Sequence, residues 1–182
     1  MAGAFVTGVW LLDRGTALVA LPALWIATLT GVFVRTRHPA TMHALSRHYH
    51  TELATFGLIV AGMHGVTGTL DALLLGAGLA PPPQYPGWLF AAGVALGALS
   101  LGAILLAVAS FLAPWRFENP SLVHAGAYVG FGFGVVHAVA IGTDVVGLTE
   151  HLVALGVLTL AAALVVKFLV GLGTGIRQVV GV

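Results

Sequence analysis

Residues 50–75 read HTELATFGLIVAGMHGVTGTLDALLL, and this stretch decides the fold class. Its two charged side chains, Glu52 and Asp71, lie towards its ends. A helix needs about 20 predominantly apolar residues to cross the hydrocarbon core of a bilayer. The stretch therefore predicts a membrane-spanning helix that contains two histidines, His50 and His64.

The rest of the 182-residue chain has the same apolar character, with 59% hydrophobic and 7% charged residues and a mean hydropathy of +1.04. Because soluble domains carry about a quarter charged residues, lipid is the predicted solvent. The chain has no cysteine, which excludes disulfides, thiolate metal sites, iron–sulfur clusters and covalently attached haem. A formal net charge of +1 gives no reason to expect nucleic acid as a partner.

We predict an all-α integral membrane bundle of about five transmembrane helices that forms one domain over residues 1–182. The helices are expected near 16–34, 50–75, 88–112, 122–141 and 151–172, with a proline-rich loop at 81–87. Residues 2–12 are apolar but lack a basic start, and Asp13-Arg14 follows them in place of a cleavage site. We therefore interpret them as a short lead-in at the membrane surface, which would make six helices if it counted as one.

The charged residues predict the orientation of the bundle. With alternating helix directions, all basic residues except Arg14 fall on one side, namely Arg35, Arg37, Arg47, Arg116, Lys167 and Arg177. The other side holds Arg14 with Asp13, Asp71, Asp144 and Glu150. The positive-inside rule then predicts a bacterial plasma-membrane protein with its N-terminus outside and its C-terminus in the cytoplasm.

Four histidines lie on two parallel helices, His50 and His64 on the second and His124 and His137 on the fourth. Their spacings of 14 and 13 residues correspond to about 20 Å along a helix. His50 and His124 are thus expected at the cytoplasmic level, and His64 and His137 at the outer level. Ionisable groups in hydrocarbon are functional candidates, and neutral imidazole is a good ligand for haem iron. We predict two haem b groups, each held by one pair of histidines.

Each histidine taken alone has a simpler interpretation, a hydrogen bond to a neighbouring helix, and it is the four together that favour haem. A gap of 13 residues does not return a side chain to the same helix face. The fourth helix is therefore expected to distort or tilt, which its glycines at 126, 130, 132 and 134 would allow.

Two phenylalanines and three arginines are further candidates for the haem environment. Phe56 and Phe131 lie about midway between the histidines of their helices, and Arg47 lies at the inner level, as Arg35 and Arg37 do. The arginines would pair with haem propionates. Ordinary bundle packing explains the two phenylalanines equally well, and positive-inside anchoring explains the arginines.

The remaining histidines are weaker candidates. His38, His43 and His48 are expected in a solvated cytoplasmic loop without a compact set of metal ligands. His48 is an alternative to His50 as a ligand. His151 is expected at the outer start of the fifth helix, where it either contacts an outer propionate or an electron acceptor, or only begins the helix.

These stretches resemble the ferric reductase-like transmembrane domain family. That family includes the membrane parts of ferric reductases and NADPH oxidases and the bacterial methionine sulfoxide reductase haem subunit. The resemblance lies in His50-Thr51-Glu52-Leu53 through Met63-His64, in His124 through Tyr128 to His137, and in Ile141-Gly142-Thr143-Asp144. The start, Trp10-Leu11-Leu12-Asp13-Arg14-Gly15, and Trp115-Arg116 look like small actinobacterial members.

The resemblance implies that His50 and His124 ligate the cytoplasmic-side haem and that His64 and His137 ligate the outer haem. No dinucleotide fingerprint follows a strand here. A separate electron donor is therefore implied, with flavin only on that partner.

The predicted function is transmembrane electron transfer, from a cytoplasmic flavoprotein or a quinol to an extracytoplasmic acceptor such as ferric iron, a flavin protein or oxygen. The protein would be the membrane part of an oxidoreductase, with no catalytic side chain of its own. Two alternatives stay open. One is a histidine-lined transporter of metal ions or haem, and the other is a haem-bearing assembly subunit of a respiratory complex.

Overall fold

A computed structural model describes residues 2–34, 40–82, 86–142 and 156. The described chain forms four α-helices and a 3-10 turn, and it contains no strand. The helices are α1 (Ala2–Val34), α2 (Ala40–Gly76), α3 (Gly87–Leu112) and α4 (Pro120–Ile141), and the 3-10 turn Pro114–Arg116 joins α3 to α4. The predicted all-α class is confirmed.

Each of the four helices is long and apolar enough to cross a membrane. The candidate spans are Gly3–Val32, Ser46–Gly76, Gly87–Leu112 and Pro120–Ile141. Large apolar side chains such as Val66, Leu122 and Trp88 are mostly exposed, as a lipid-facing surface requires. These features support membrane association, while the orientation stays a prediction.

The predicted number of five or six spanning helices is not supported. The second, third and fourth predicted helices lie within α2, α3 and α4, although α2 already begins at Ala40. The predicted fifth helix, 151–172, lies outside the described residues apart from Gly156.

The interpretation of residues 2–12 as a separate lead-in is wrong, because α1 runs unbroken from Ala2 to Val34. The charges at Asp13 and Arg14 do not end the helix, since Asp13 has a partner on α2 and Arg14 has one within α1. The Asp13 carboxylate lies 2.9 Å from the His64 ring on α2, and the Arg14 guanidinium lies 4.4 Å from the centroid of the Trp10 ring. Paired polar groups such as these are tolerated within a span.

Local sequence explains where the later helices begin and end. Gly78 has a φ of +71°, a conformation that glycine adopts freely, and it turns the chain after α2. The side chain of Asn119 accepts a hydrogen bond from the Leu122 amide, and Pro120 fills the first position of α4. Both are established signals for a helix start.

The four helices form two hairpins. α1 packs along α2 and α3 packs along α4, whereas the two hairpins approach each other closely at only a few residues. Glycines allow the tight contacts within each hairpin. A Cβ on Gly57 would lie 3.0 Å from Leu24, and one on Gly130 would lie 3.0 Å from Ala103. Small residues at such contacts let helices pack closely in lipid.

Candidate functional site: two histidine pairs

Two pairs of histidine rings face each other between the hairpins, and we call them inner and outer after the sides predicted from the sequence. The inner pair is His50 of α2 and His124 of α4. Their ring centroids are 6.1 Å apart, and the rings are nearly perpendicular, at 81°. His50 Nδ1 lies 2.8 Å from the Ala27 carbonyl of α1, and His124 Nδ1 lies 3.0 Å from the Ala107 carbonyl of α3. The second helix of each hairpin thus supplies the histidine, and the first helix supplies its acceptor.

The outer pair repeats this arrangement with His64 of α2 and His137 of α4. Their ring centroids are 5.8 Å apart, at an interplanar angle of 65°. His64 Nδ1 lies 3.1 Å from the Asp13 carbonyl of α1, and His137 Nδ1 lies 2.6 Å from the Gly93 carbonyl of α3. The structure therefore brings together the two pairs that the sequence predicts by depth.

These hydrogen bonds determine which ring nitrogen is free. A carbonyl oxygen only accepts, so each Nδ1 carries the proton and donates it. Each neutral ring then has its lone pair on Nε2, the state in which imidazole binds a metal. A ligating histidine commonly donates its other N–H to a carbonyl or a carboxylate in this way. All four histidines meet that condition.

The spacing within each pair also suits a shared metal ion. An imidazole nitrogen lies about 2 Å from a bound transition-metal ion, which puts the centroids of two rings on opposite sides of it roughly 6 Å apart. Both measured separations, 6.1 and 5.8 Å, are of this size.

The two pairs lie at two levels along the helices, because the step of 14 residues from His50 to His64 spans about 21 Å of helix. The 13-residue gap on α4 is bridged without a break, since residues 120–141 are continuously α-helical. The expected distortion or tilt of α4 therefore does not take the form of a break in the helix.

Two glycines make room for the imidazoles, and the sequence analysis missed both. A Cβ on Gly31 would lie 2.8 Å from His50 Cε1, and a Cβ on Gly97 would lie 2.9 Å from His137 Nδ1. The helix-four glycines differ in role. Gly130 and Gly134 face α3, where the Ser100 hydroxyl would lie 2.9 Å from a Cβ on Gly134. Gly126 and Gly132 have no neighbour within 4 Å of an added Cβ.

Asp13 is a further residue of the site that the sequence alone does not single out, because a charge next to an apolar run predicts a position at the membrane surface. The carboxylate Oδ1 lies 2.9 Å from His64 Nδ1 and 3.2 Å from the Thr67 hydroxyl. A Cβ on Gly68 would lie 2.9 Å from the same oxygen. The residues that contact this carboxylate, Thr67 and Gly68, lie three and four residues after His64, and this spacing is the signal in the sequence.

A family model described as a domain of unknown function, DUF8596, matches residues 8–144. The chain belongs to the DUF8596 family. The matched region includes all four paired histidines and Asp13. No curated protein and no solved structure matches the chain. The resemblance to the ferric reductase-like family stays a prediction, since the DUF8596 match neither includes nor excludes it.

The other predicted haem contacts of the DUF8596 domain occupy different environments. Phe131 is buried, at 4% exposure, and packs inside the bundle, whereas Phe56 is 50% exposed. Arg47 is exposed and lies about one turn before His50 on α2. Their contacts with haem stay predictions.

Among the weaker histidine candidates, His48 is exposed, and its ring lies 5.6 Å from that of its neighbour Tyr49. It is His50 that faces His124. His43 lies in α2, with its side chain outside the described structure. The predictions for His38, His151, Arg35 and Arg37 also lie outside the described residues.

Each pair of the DUF8596 domain consists of two imidazole rings. Within the described parts of the chain, no group of three or more His, Cys, Asp or Glu side chains is arranged to hold a metal ion. Two imidazoles are the donor set that fits an iron whose remaining ligands come from a porphyrin.

Proposed function

We propose that this DUF8596 protein carries electrons across the membrane with two b-type haems, each held by one histidine from each hairpin. The observation that carries the proposal is the repeated geometry of the four histidines. Each donates from Nδ1 to the preceding helix, and each faces one partner ring at about the separation that a shared iron requires.

The ligand number favours haem over a bare metal ion. Structural zinc sites take four protein ligands and catalytic ones three, whereas each pair here supplies two. Haem iron takes its other four ligands from the porphyrin and supplies a centre that gains and loses one electron. The two imidazoles of a pair would leave such an iron no open ligand position, which would favour electron transfer over oxygen binding.

The protein's own part is to bind and orient. The carbonyls of Ala27, Ala107 and Gly93 hold three of the rings, and Asp13 holds the fourth. The two levels, about 21 Å apart along α2, divide the crossing of a core about 30 Å thick.

The direction and partners of the transfer are part of the proposal. A cytoplasmic flavoprotein or a quinol would reduce the haem held by the inner pair. An extracytoplasmic acceptor, such as ferric iron, a flavin protein or oxygen, would take the electron from the haem held by the outer pair. The distribution of basic residues supports this orientation, with the N-terminus outside. The paired histidines also support membership of the ferric reductase-like family.

The test is the haem content of detergent-purified protein from haem-replete cells, with absorbance spectra before and after dithionite. We expect two b-type haems per chain. His64→Ala removes one of them, whereas the matched control His48→Ala, an exposed histidine of the same helix, retains both. A folded protein without haem refutes the proposal, and one haem per chain eliminates one of the two pairs.

A further inference from the structure

His64 differs from the other three histidines in its acceptor. His50, His124 and His137 donate to the carbonyls of Ala27, Ala107 and Gly93, residues without a polar side chain. His64 Nδ1 lies 3.1 Å from the Asp13 carbonyl and 2.9 Å from the Asp13 carboxylate. The outer pair alone therefore has an ionisable group within hydrogen-bond distance of Nδ1 in the described structure.

Residues of α2 determine where the Asp13 carboxylate lies. The Thr67 hydroxyl lies 3.2 Å from Asp13 Oδ1. Gly68 gives the carboxylate its space, because a Cβ there would come within 2.9 Å of the same oxygen. The Asp13 side chain is 19% exposed within the candidate span Gly3–Val32. A carboxylate at such a place is costly unless it is paired, and the His64 N–H supplies that pairing.

We propose that Asp13 is a positioning residue that lowers the reduction potential of the outer centre, the haem held by His64 and His137, through its hydrogen bond with His64. The inference rests on the proposed function. A carboxylate acceptor makes an imidazole a more basic ligand than a carbonyl does. The more basic ligand stabilises the oxidised and more positively charged iron, which lowers the reduction potential of that centre. The inner centre has only carbonyl acceptors and lacks this effect.

The experiment measures both reduction potentials of the purified haem-loaded protein by a redox titration followed by absorbance. Asp13→Asn keeps an acceptor oxygen but removes the charge. We expect one potential to move to a more positive value and the other to stay unchanged. A change of about tenfold in the oxidation equilibrium corresponds to a shift of about 59 mV for one electron. The low-spin EPR signal of the same centre should shift, with two haems per chain retained.

Two further variants separate the hydrogen bond from its surroundings. Asp71→Asn removes a charge from α2 about one turn beyond Thr67, where no hydrogen bond to His64 is present in the described structure. We expect a clearly smaller shift from it. Gly68→Ala keeps both charges but displaces the carboxylate, and it should move the outer potential in the same direction as Asp13→Asn does.

The outcomes distinguish this inference from the proposed function. Wild-type protein without haem refutes the function, whereas two haems with an outer potential unmoved by Asp13→Asn overturn only the role of Asp13. Equal shifts in Asp13→Asn and Asp71→Asn also overturn it, because they indicate a general charge effect. If Asp13→Asn does not fold, Gly68→Ala decides, and an unchanged outer potential then contradicts the inference.

Discussion

At the scale of the residue, backbone carbonyls determine the chemistry of the histidines. Each Nδ1 lies 2.6–3.1 Å from a carbonyl on the neighbouring helix, which selects the tautomer with a lone pair on Nε2. A buried imidazole without an acceptor would cost about 1–3 kcal/mol. The same bond that makes the ring tolerable in lipid therefore also prepares it as a ligand.

The first residue-scale prediction concerns the glycine that faces His50. Gly31→Ala places a Cβ about 2.8 Å from His50 Cε1, so the imidazole has to move. We expect weaker haem binding at the inner level, by about 10–100-fold if the effect equals that of a lost outer-shell partner. The measurement is haem per chain during titration of haem into depleted protein.

The matched control for this change is Gly15→Ala on the same helix, where an added Cβ meets nothing within 4 Å. It should bind haem as the wild type does. Equal losses in the two variants would attribute the effect to the helix α1 as a whole, and not to the His50 ring.

Among the helices, the length of an apolar run predicts where a helix lies, but it does not predict which side chains on other helices contact it. α3 and α4 end at Leu112 and Ile141, the residues expected from the sequence, because apolar runs stop at clear breakers. The start of α1 is predicted wrongly because a charge that looks like a helix boundary is accommodated by another helix. The charges at Asp13-Arg14 predict a helix boundary, whereas the Asp13 carboxylate is accommodated inside α1 by Thr67 and Gly68, which lie on another helix.

One part of the candidate site could also be predicted from the sequence, and another part could not. The histidine pairing follows from helix direction and a rise of about 1.5 Å per residue, so it could be predicted. The acceptors of Ala27, Ala107 and Gly93 are backbone atoms that every residue has. No side-chain pattern marks them, and only the packing of α1 on α2 and of α3 on α4 shows which carbonyls are used.

The element-scale prediction concerns the α3–α4 contact. Gly130→Ala places a Cβ 3.0 Å from Ala103 and Ile104 and 3.1 Å from the Ser100 carbonyl, so the two helices must separate. Such overpacking typically costs about 1–3 kcal/mol. We expect a lower midpoint of thermal unfolding in detergent, followed by circular dichroism.

Gly132→Ala is the control on the same helix, because an added Cβ there has no neighbour within 4 Å. Alanine favours the helix by up to about 1 kcal/mol over glycine, so this variant should unfold at the wild-type temperature or above. A midpoint for Gly130→Ala at or above that of Gly132→Ala would contradict the packing argument.

At the scale of the whole molecule, the two hairpins are variants of one arrangement. In each, the second helix carries two histidines of the facing pairs, and the first helix supplies the acceptors for both. α2 and α4 run in the same direction because one antiparallel helix lies between them in the chain. Both pairs therefore lie between the hairpins, where direct helix contact is sparse. The histidine pairs through which the hairpins contact each other are therefore also the groups that would form the proposed electron path.

This arrangement predicts that transfer across the membrane needs both levels. In sealed proteoliposomes with reductant on the cytoplasmic face, wild-type protein should reduce an impermeant ferric chelate on the other face. His64→Ala should abolish this reduction, because the outer haem would lose one of its two histidines. His50 and His124 would still hold the inner haem. Absorbance should show that the remaining haem is still reduced, and His48→Ala should transfer electrons as the wild type does. Undiminished reduction by His64→Ala would mean that the electrons cross without the outer pair, and the two-level path would have to be abandoned.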